Sequence, residues 1–184
     1  MSKRPVIDRN LVLDAAISVV MEQGISALSI GEVAKAAGIS KGGVQSCFGT
    51  KDGLIEAMVN RWKTDYELSV RSRLAPDAGM LDHLIAQIGI IAIPDEELSR
   101  RAAAILTAMF SHESLKTQAN DWYRSLLLGE AFETERGKRV RLAFLAATGA
   151  FFLRSFSIMD ISEGEWRTFH EDIAQLLPGE EPER

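Results

Sequence analysis

The sequence predicts an all-α protein: a small three-helix head at the N-terminal end and a larger helical body behind it, about nine helices in all. Three observations predict this class. Strand signals are nearly absent, with no Asn-Gly or Asp-Gly hairpin and no sustained alternation of apolar and polar residues. Apolar residues instead recur at helical spacing. Helix start and stop signals punctuate the chain at short intervals.

Each element follows from those signals. Asp8 can cap a first helix that Gly24 ends, with Val12, Ala15, Ala16, Val19 and Val20 on one stripe. Ser29-Ile30-Gly31-Glu32 has the form of a capping box and opens a short second helix that stops at Gly38. Ser40 caps a third short helix, to about Phe48, and Thr50 caps a fourth that reaches about Arg73. Ala75-Pro76-Asp77-Ala78-Gly79 is a linker. Behind it lie a helix over 81–91 and one that starts at Pro94, where carboxylates follow at the positive end of the helix dipole, and runs through Phe110. Further helices are expected over 115–128, 135–159 and 162–177, the last opened by a second capping box, Ser162 with Glu165. The expected domains are 1–60 and 61–178, and the acidic tail 179–184 is expected to be disordered.

Composition sets bounds on function. The chain has 184 residues, 46% apolar and 26% charged, values of a folded globular protein. The net charge of −5 speaks against a nucleic-acid partner until it is divided. Residues 1–63 carry eight Lys/Arg and six Asp/Glu, a net of +2, which leaves −7 for residues 64–184. The acidity therefore belongs to the body. A single cysteine, Cys47, suits a reducing, cytoplasmic setting. The longest charge-free apolar stretch, Leu142 to Leu153, has twelve residues, against the roughly 20 that a membrane span needs. The basic start has no apolar run behind it, so no secretory leader is expected. His83, His112 and His170 lie far apart and no HExxH or CxxC occurs, so neither a metal nor any other cofactor is called for.

The informative segment is Ile30 to Phe48. Two short helices meet at Ala37-Gly38-Ile39-Ser40. Ala34 sits where they pack closest, Gly38 supplies the positive φ of a sharp turn, and Val33, Ile39 and Val44 fill the core beneath. These features together describe a helix-turn-helix, whose second helix enters the DNA major groove. An ordinary corner between two helices of a bundle is the alternative.

Here the sequence resembles a known family. Val12-Leu13-Asp14-Ala15-Ala16, Glu22-Gln23-Gly24, Val33-Ala34-Lys35-Ala36-Ala37-Gly38-Ile39-Ser40-Lys41-Gly42, then Phe48 and Lys51-Asp52-Gly53-Leu54 are similar to the N-terminal domain of TetR-family transcriptional regulators. The resemblance implies an all-α homodimeric repressor that binds an operator through its first domain and releases it when a small molecule enters the second. It implies phosphate contacts by Ser29, Lys41 and Lys51, and a reading helix that begins at Ser40 and presents Gly42, Gly43, Gln45 and Ser46. Gln45 can pair with the N6/N7 edge of adenine. Lys3, Arg4 and Arg9 form a basic arm able to reach the backbone or minor groove.

Departures from the family pattern carry consequences. Aromatics, mostly Tyr, usually stand where this chain has Gln45 and Cys47, and a polar residue is common at Gly31. Loss of the tyrosine at Cys47 removes a phosphate contact, and specific DNA binding can be lost with it. Gly42 and Gly43 weaken the reading helix by about 1 kcal/mol each relative to Ala. Cys47 is either a filler for the hole left by the tyrosine or a redox-sensitive thiol.

Leu142 to Leu153 is apolar nearly all round, so it must be covered on both sides. Its small residues, Ala143, Ala146, Ala147 and Ala150, allow close approach of a neighbour. With Trp166, Phe169, Ile173 and Leu176 of the final helix it is expected to form a four-helix homodimer interface, spanning about 135–159 and 162–177. Effector candidates are Met109, Phe110, His112, Trp122, Tyr123 and Phe144, aromatic and polar groups on the central helices. Arg154, amid apolar residues, can anchor an anion, but is expected to pair with a carboxylate. An all-α enzyme or small-molecule carrier is the competing class, but no catalytic order, metal spacing or phosphate loop supports it.

Overall fold

The computed structural model describes residues 7–177. Lys3, Arg4 and the 179–184 tail therefore lie outside the described residues. Those described form nine α-helices and two single turns of 3-10 helix, with no strand. The chain divides into two compact units. One holds the described residues up to Thr64 with Arg100–Lys116, and the other holds Asp65–Ser99 and the residues from Thr117 onward. Residues 100–116 thus join the first unit although they come from the middle of the expected body.

The first unit is built from α1 (Arg9–Gln23), α2 (Ile30–Ala36), α3 (Lys41–Phe48), the start of α4 (Lys51–Arg71), most of α6 (Glu96–Phe110) and the first residues of α7 (Glu113–Leu127). Asp8 caps α1 by accepting from the Asn10 amide at 2.8 Å, and the chain leaves α1 at Gly24 with φ +82°. Val12, Ala16, Ile17, Val33, Leu54 and Met58 are buried. One polar cluster ties the unit together. Asp14 of α1 accepts from Arg61 of α4 at 2.7 Å and from Arg101 of α6 at 2.9 Å, and Arg61 also donates to the Asn10 carbonyl at 3.0 Å. Burial alone would raise the Asp14 carboxyl, but the hydrogen bonds and charges of the two arginines outweigh it and hold it below its usual range.

The second unit centres on α8 (Glu135–Ser155), packed against α5 (Met80–Ile91) and α9 (Glu163–Leu176). Leu84 and Ile88 of α5, Val140, Ala143, Phe144 and Ala147 of α8, and Ile173 of α9 form one buried cluster with Phe132. Ala150, Ile161 and Trp166 form a second. Trp166 donates its indole N–H to the Ala92 carbonyl at 3.0 Å, which fixes α9 to the end of α5. The guanidinium of Arg154 lies 4.9 Å from the Trp166 ring centroid, so its neighbour is an aromatic face where a carboxylate was expected.

Several boundaries differ from expectation for local reasons. Helix α6 starts at Glu96, because Asp95 caps it by accepting from the Leu98 amide at 2.8 Å; Pro94 stands outside. Helix α4 stops at Arg71, and α7 runs over Glu113–Leu127 where 115–128 was expected. Helix α8 ends at Ser155, four residues before the expected Met159. There Ser157 takes φ +52°, and the amides of Ile158 and Met159 both bond the Leu153 carbonyl. The Ser162–Glu165 capping box forms as expected. No helix among the described residues is long and apolar enough to cross a membrane.

Candidate nucleic-acid interface

The α2–α3 corner is built as the sequence requires. Ser29 accepts from the Glu32 amide at 3.1 Å and caps α2. Only half of the expected box forms, since the Glu32 carboxylate pairs with Lys35 at 3.8 Å. At the far end the Ile39 amide bonds the Ala34 carbonyl at 3.0 Å, and Gly38 turns the chain with φ +67°, a conformation that a β-carbon makes costly. Ser40 then caps α3, accepting from the Gly43 amide at 3.1 Å. Val33, Ala34 and Val44 are buried beneath the corner, while Ile39 is half-buried.

The outward face of α3 carries Lys41, Gly42, Gln45 and Ser46, all exposed. Ser46 donates its hydroxyl proton to the Gly43 carbonyl at 2.8 Å, so in this arrangement it offers lone pairs outward. Gly43 does not belong to that face. A β-carbon there would lie 2.9 Å from the Ile7 methyl, so Gly43 is the notch against which Ile7 packs. Cys47 is half-buried, and its carbonyl accepts from the Arg9 guanidinium. That guanidinium also lies 4.5 Å from the Phe48 ring centroid. Arg9, expected in a free arm, thus joins the start of α1 to the end of α3.

The electrostatics of this face go against helix stability. Lys41 is the first residue of α3 and Lys51 the first of α4. Both place a cation at the positive end of a helix dipole, where stability alone favours a carboxylate and where an anion is welcome. Helix α3 has no acidic residue in its first turn. Ser29, Ser40 and Thr50, whose side chain accepts from the Gly53 amide at 3.1 Å, all spend a lone pair on capping. A hydroxyl that accepts in this way keeps its proton for an outside oxygen.

The six effector candidates do not gather within either unit. Met109, Phe110 and His112 belong to the first unit, and Trp122, Tyr123 and Phe144 to the second. Met109 is buried and Phe110 exposed. The Nε2 of His112 lies 4.0 Å from the Asp52 carboxylate, and its Nδ1 lies 3.1 Å from the Ser114 hydroxyl. Trp122 is 44% exposed and meets Tyr123 edge-on, with ring centroids 4.7 Å apart. Burial pushes the Tyr123 phenol up, and Phe144 is part of the packed core. The second unit holds a polar pair that sequence reasoning missed. Gln87 of α5 is 5% exposed and accepts from the Tyr66 hydroxyl at 3.3 Å; burial raises that phenol too. The signal was an amide at a core position of the Leu84-Gln87-Ile88-Ile91 stripe. An open cavity of about 320 Å³ lies beside the turn between α4 and α5, lined by Arg73, Leu74, Asp77, Asp82, Ile85 and their neighbours.

A capped helix-turn-helix with a polar outer face, carried on an all-helical chain with a separate helical body, defines a helix-turn-helix transcriptional regulator. Residues 12–58 match the family described as bacterial regulatory proteins, tetR family, and residues 84–178 match the tetracyclin repressor-like C-terminal domain. The chain belongs to the tetR family of regulators. Solved structures of the same fold include a putative TetR-family transcriptional regulator from Rhodococcus sp., 16% identical, with a TM-score of 0.69 over 92% of this chain and 97% of that one. The multidrug binding protein EbrR in complex with malachite green is 21% identical, with a TM-score of 0.68 over 95% of this chain and 100% of its own. The fatty acid degradation regulator FadR from Bacillus halodurans is 18% identical, with a TM-score of 0.62 over 97% and 98%. No curated protein sequence matches the chain.

Proposed function

We propose that the protein is a homodimeric repressor that binds a pseudo-palindromic DNA operator through residues 1–60 and releases it when a small molecule enters the body, residues 61–178. The observation that carries the DNA half is the face built from Ser29, Ser40, Lys41, Gln45, Ser46 and Lys51. There, cap hydroxyls and two helix-leading ammonium groups accompany one exposed side chain able to read a base edge. Lys3 and Arg4 extend the same chemistry from the arm. A net charge of +2 on residues 1–63 gives only weak attraction to DNA, so useful affinity needs two copies of the head.

The apolar stripe on α8 supports the dimer. Leu142, Leu145 and Leu153 are 57%, 49% and 38% exposed, and Ala146 and Gly149 between them are exposed as well. The opposite side of α8 is buried in its own unit through Val140, Ala143, Phe144 and Ala147. A helix that is apolar on a second face, after its first is filled, is suited to a second copy of itself. Two-fold pairing places the reading helices about 34–36 Å apart, one turn of DNA. The effector half is supported by the relatives, since EbrR holds malachite green and FadR is named for fatty acid degradation. The test is selection of bound duplexes from random DNA, repeated with a metabolite library. An inverted repeat that one compound releases is expected; recovery of random sequence alone would refute operator binding.

A further inference from the structure

Gly31 lies inside α2, yet its backbone does not need a glycine: it is not among the positive-φ glycines. Glycine is the poorest helix former after proline, and here the space a side chain would take is already filled by a neighbour from outside the helix. That neighbour is Lys41. A β-carbon on Gly31 would lie 3.0 Å from the Lys41 Cε and 3.3 Å from its Nζ, with the Ser29 hydroxyl oxygen at 3.8 Å. Lys41 leads α3, so its side chain runs back across the corner to rest on α2.

We propose that Gly31 is a positioning residue for DNA binding: its bare backbone seats the Lys41 stem, so that the ammonium of Lys41 and the hydroxyl of Ser29 form one preset clamp for a DNA phosphate. The inference rests on the operator-binding reading above and names a further residue of that site. A free lysine side chain loses much rotamer freedom when it grips an anion. A stem already laid along a surface loses less. Ser29 spends a lone pair on the Glu32 amide and keeps its proton for the same phosphate. A methyl at position 31 lies closer to Cε than the ~3.5–4.0 Å of a relaxed carbon contact, so the tail must shift and the ammonium is displaced from its seat. Only the end of a flexible side chain moves, and the helices do not.

Stability and DNA affinity therefore change in opposite directions. In Gly31→Ala the melting temperature stays equal or rises, because alanine is the better helix former. Affinity for a duplex selected by the wild-type protein falls about threefold to tenfold at ~0.1 M salt, and the salt slope falls by about one. The test is fluorescence anisotropy at several salt concentrations on Gly31→Ala, Lys41→Ala and the double variant, with thermal melts beside it. The double variant is expected to bind like Lys41→Ala alone, because both changes remove one ammonium from one place. Wild-type affinity and slope in Gly31→Ala overturn the proposal, as do additive losses in the double variant or a lowered melting temperature. In those outcomes the wild type still binds its duplex, so operator binding survives; a wild type that binds no duplex overturns both.

Discussion

The two units use opposite parts of a helix. In the first, α2 and α3 have seven and eight residues, and their chemistry sits at the ends: cap hydroxyls, leading lysines and one short outer face. In the second, the 21-residue α8 acts along its sides, with one face in the core and another bare and apolar, whereas the 14-residue α9 buries Trp166 and Ile173, expected at the dimer interface, in its own unit and shows a mainly polar outer side. Charge divides the same way, a net of +4 on the first unit against −9 on the second. A short helix has little side area to bury, so its orphan terminal amides dominate what it can do. A long helix has most of its groups satisfied internally and acts through packing. Recognition of an anionic partner therefore suits the first unit, and self-association the second.

The change that breaks this contrast most strongly is Leu145→Asp. Leu145 is exposed in the single chain, so the fold should tolerate the change. In a two-fold dimer paired through this stripe the variant buries two carboxylates, one from each copy, without partners. Sedimentation at micromolar concentration is expected to give a monomer, with DNA affinity down about 100-fold or more through loss of the second head. An intact dimer would remove the α8 stripe from the interface.

Gln45→Ala tests the first unit at its outer face. It is expected to cost about 1–3 kcal/mol at one base pair of each half-site and to relax preference there. Competition with duplexes varied at single positions measures this, and an equal loss on scrambled DNA would leave Gln45 no reading role. Asp14→Ala tests the same unit from inside. The change leaves Arg61, whose side chain is 19% exposed, without its carboxylate. Asp14 is itself about half exposed, so the cost is expected to be modest, about 1–2 kcal/mol after solvent screening. Its sign with pH is fixed. The folded carboxyl is depressed, so the stability it contributes is present above the unfolded carboxyl range and is lost as pH falls through the lower folded value. Urea melts of wild type and variant should differ at neutral pH and converge at acidic pH.

The sequence was most legible where a single local rule decides the structure. Gly38 and the caps Asp8, Ser29, Ser40 and Ser162 were readable because positive φ and orphan amides allow few residue types. It was least legible where a side must be chosen. Gly43 was placed on the reading face, but it has no side chain to mark its direction, and the notch filled by Ile7 shows only in three dimensions. The end of α8 at Ser155 depends on Ser157 entering the left-handed region, which Phe156-Ser157-Ile158 does not announce. Phe144, Trp122 and Met109 looked alike as pocket candidates; burial separates them into a core ring, a surface ring and a buried thioether. An all-round apolar helix carries no amphipathic mark, so its faces cannot be told apart by periodicity.

The smallest expected effect sharpens the comparison most finely. Lys51 opens α4 behind the Thr50 cap, is half-buried, and lies outside the reading helix. If the first unit acts through its helix ends, this ammonium contributes one phosphate contact and no base contact. Lys51→Ala should then weaken binding by about threefold on every duplex alike and lower the salt slope by about one. Folding stability should hold, since removing a cation from the positive end of a helix relieves an unfavourable dipole interaction. Salt titrations on a selected and a scrambled duplex separate the cases. A loss confined to the selected duplex would make Lys51 a reader of sequence, and the division between ends that grip and a face that reads would fail within the head itself.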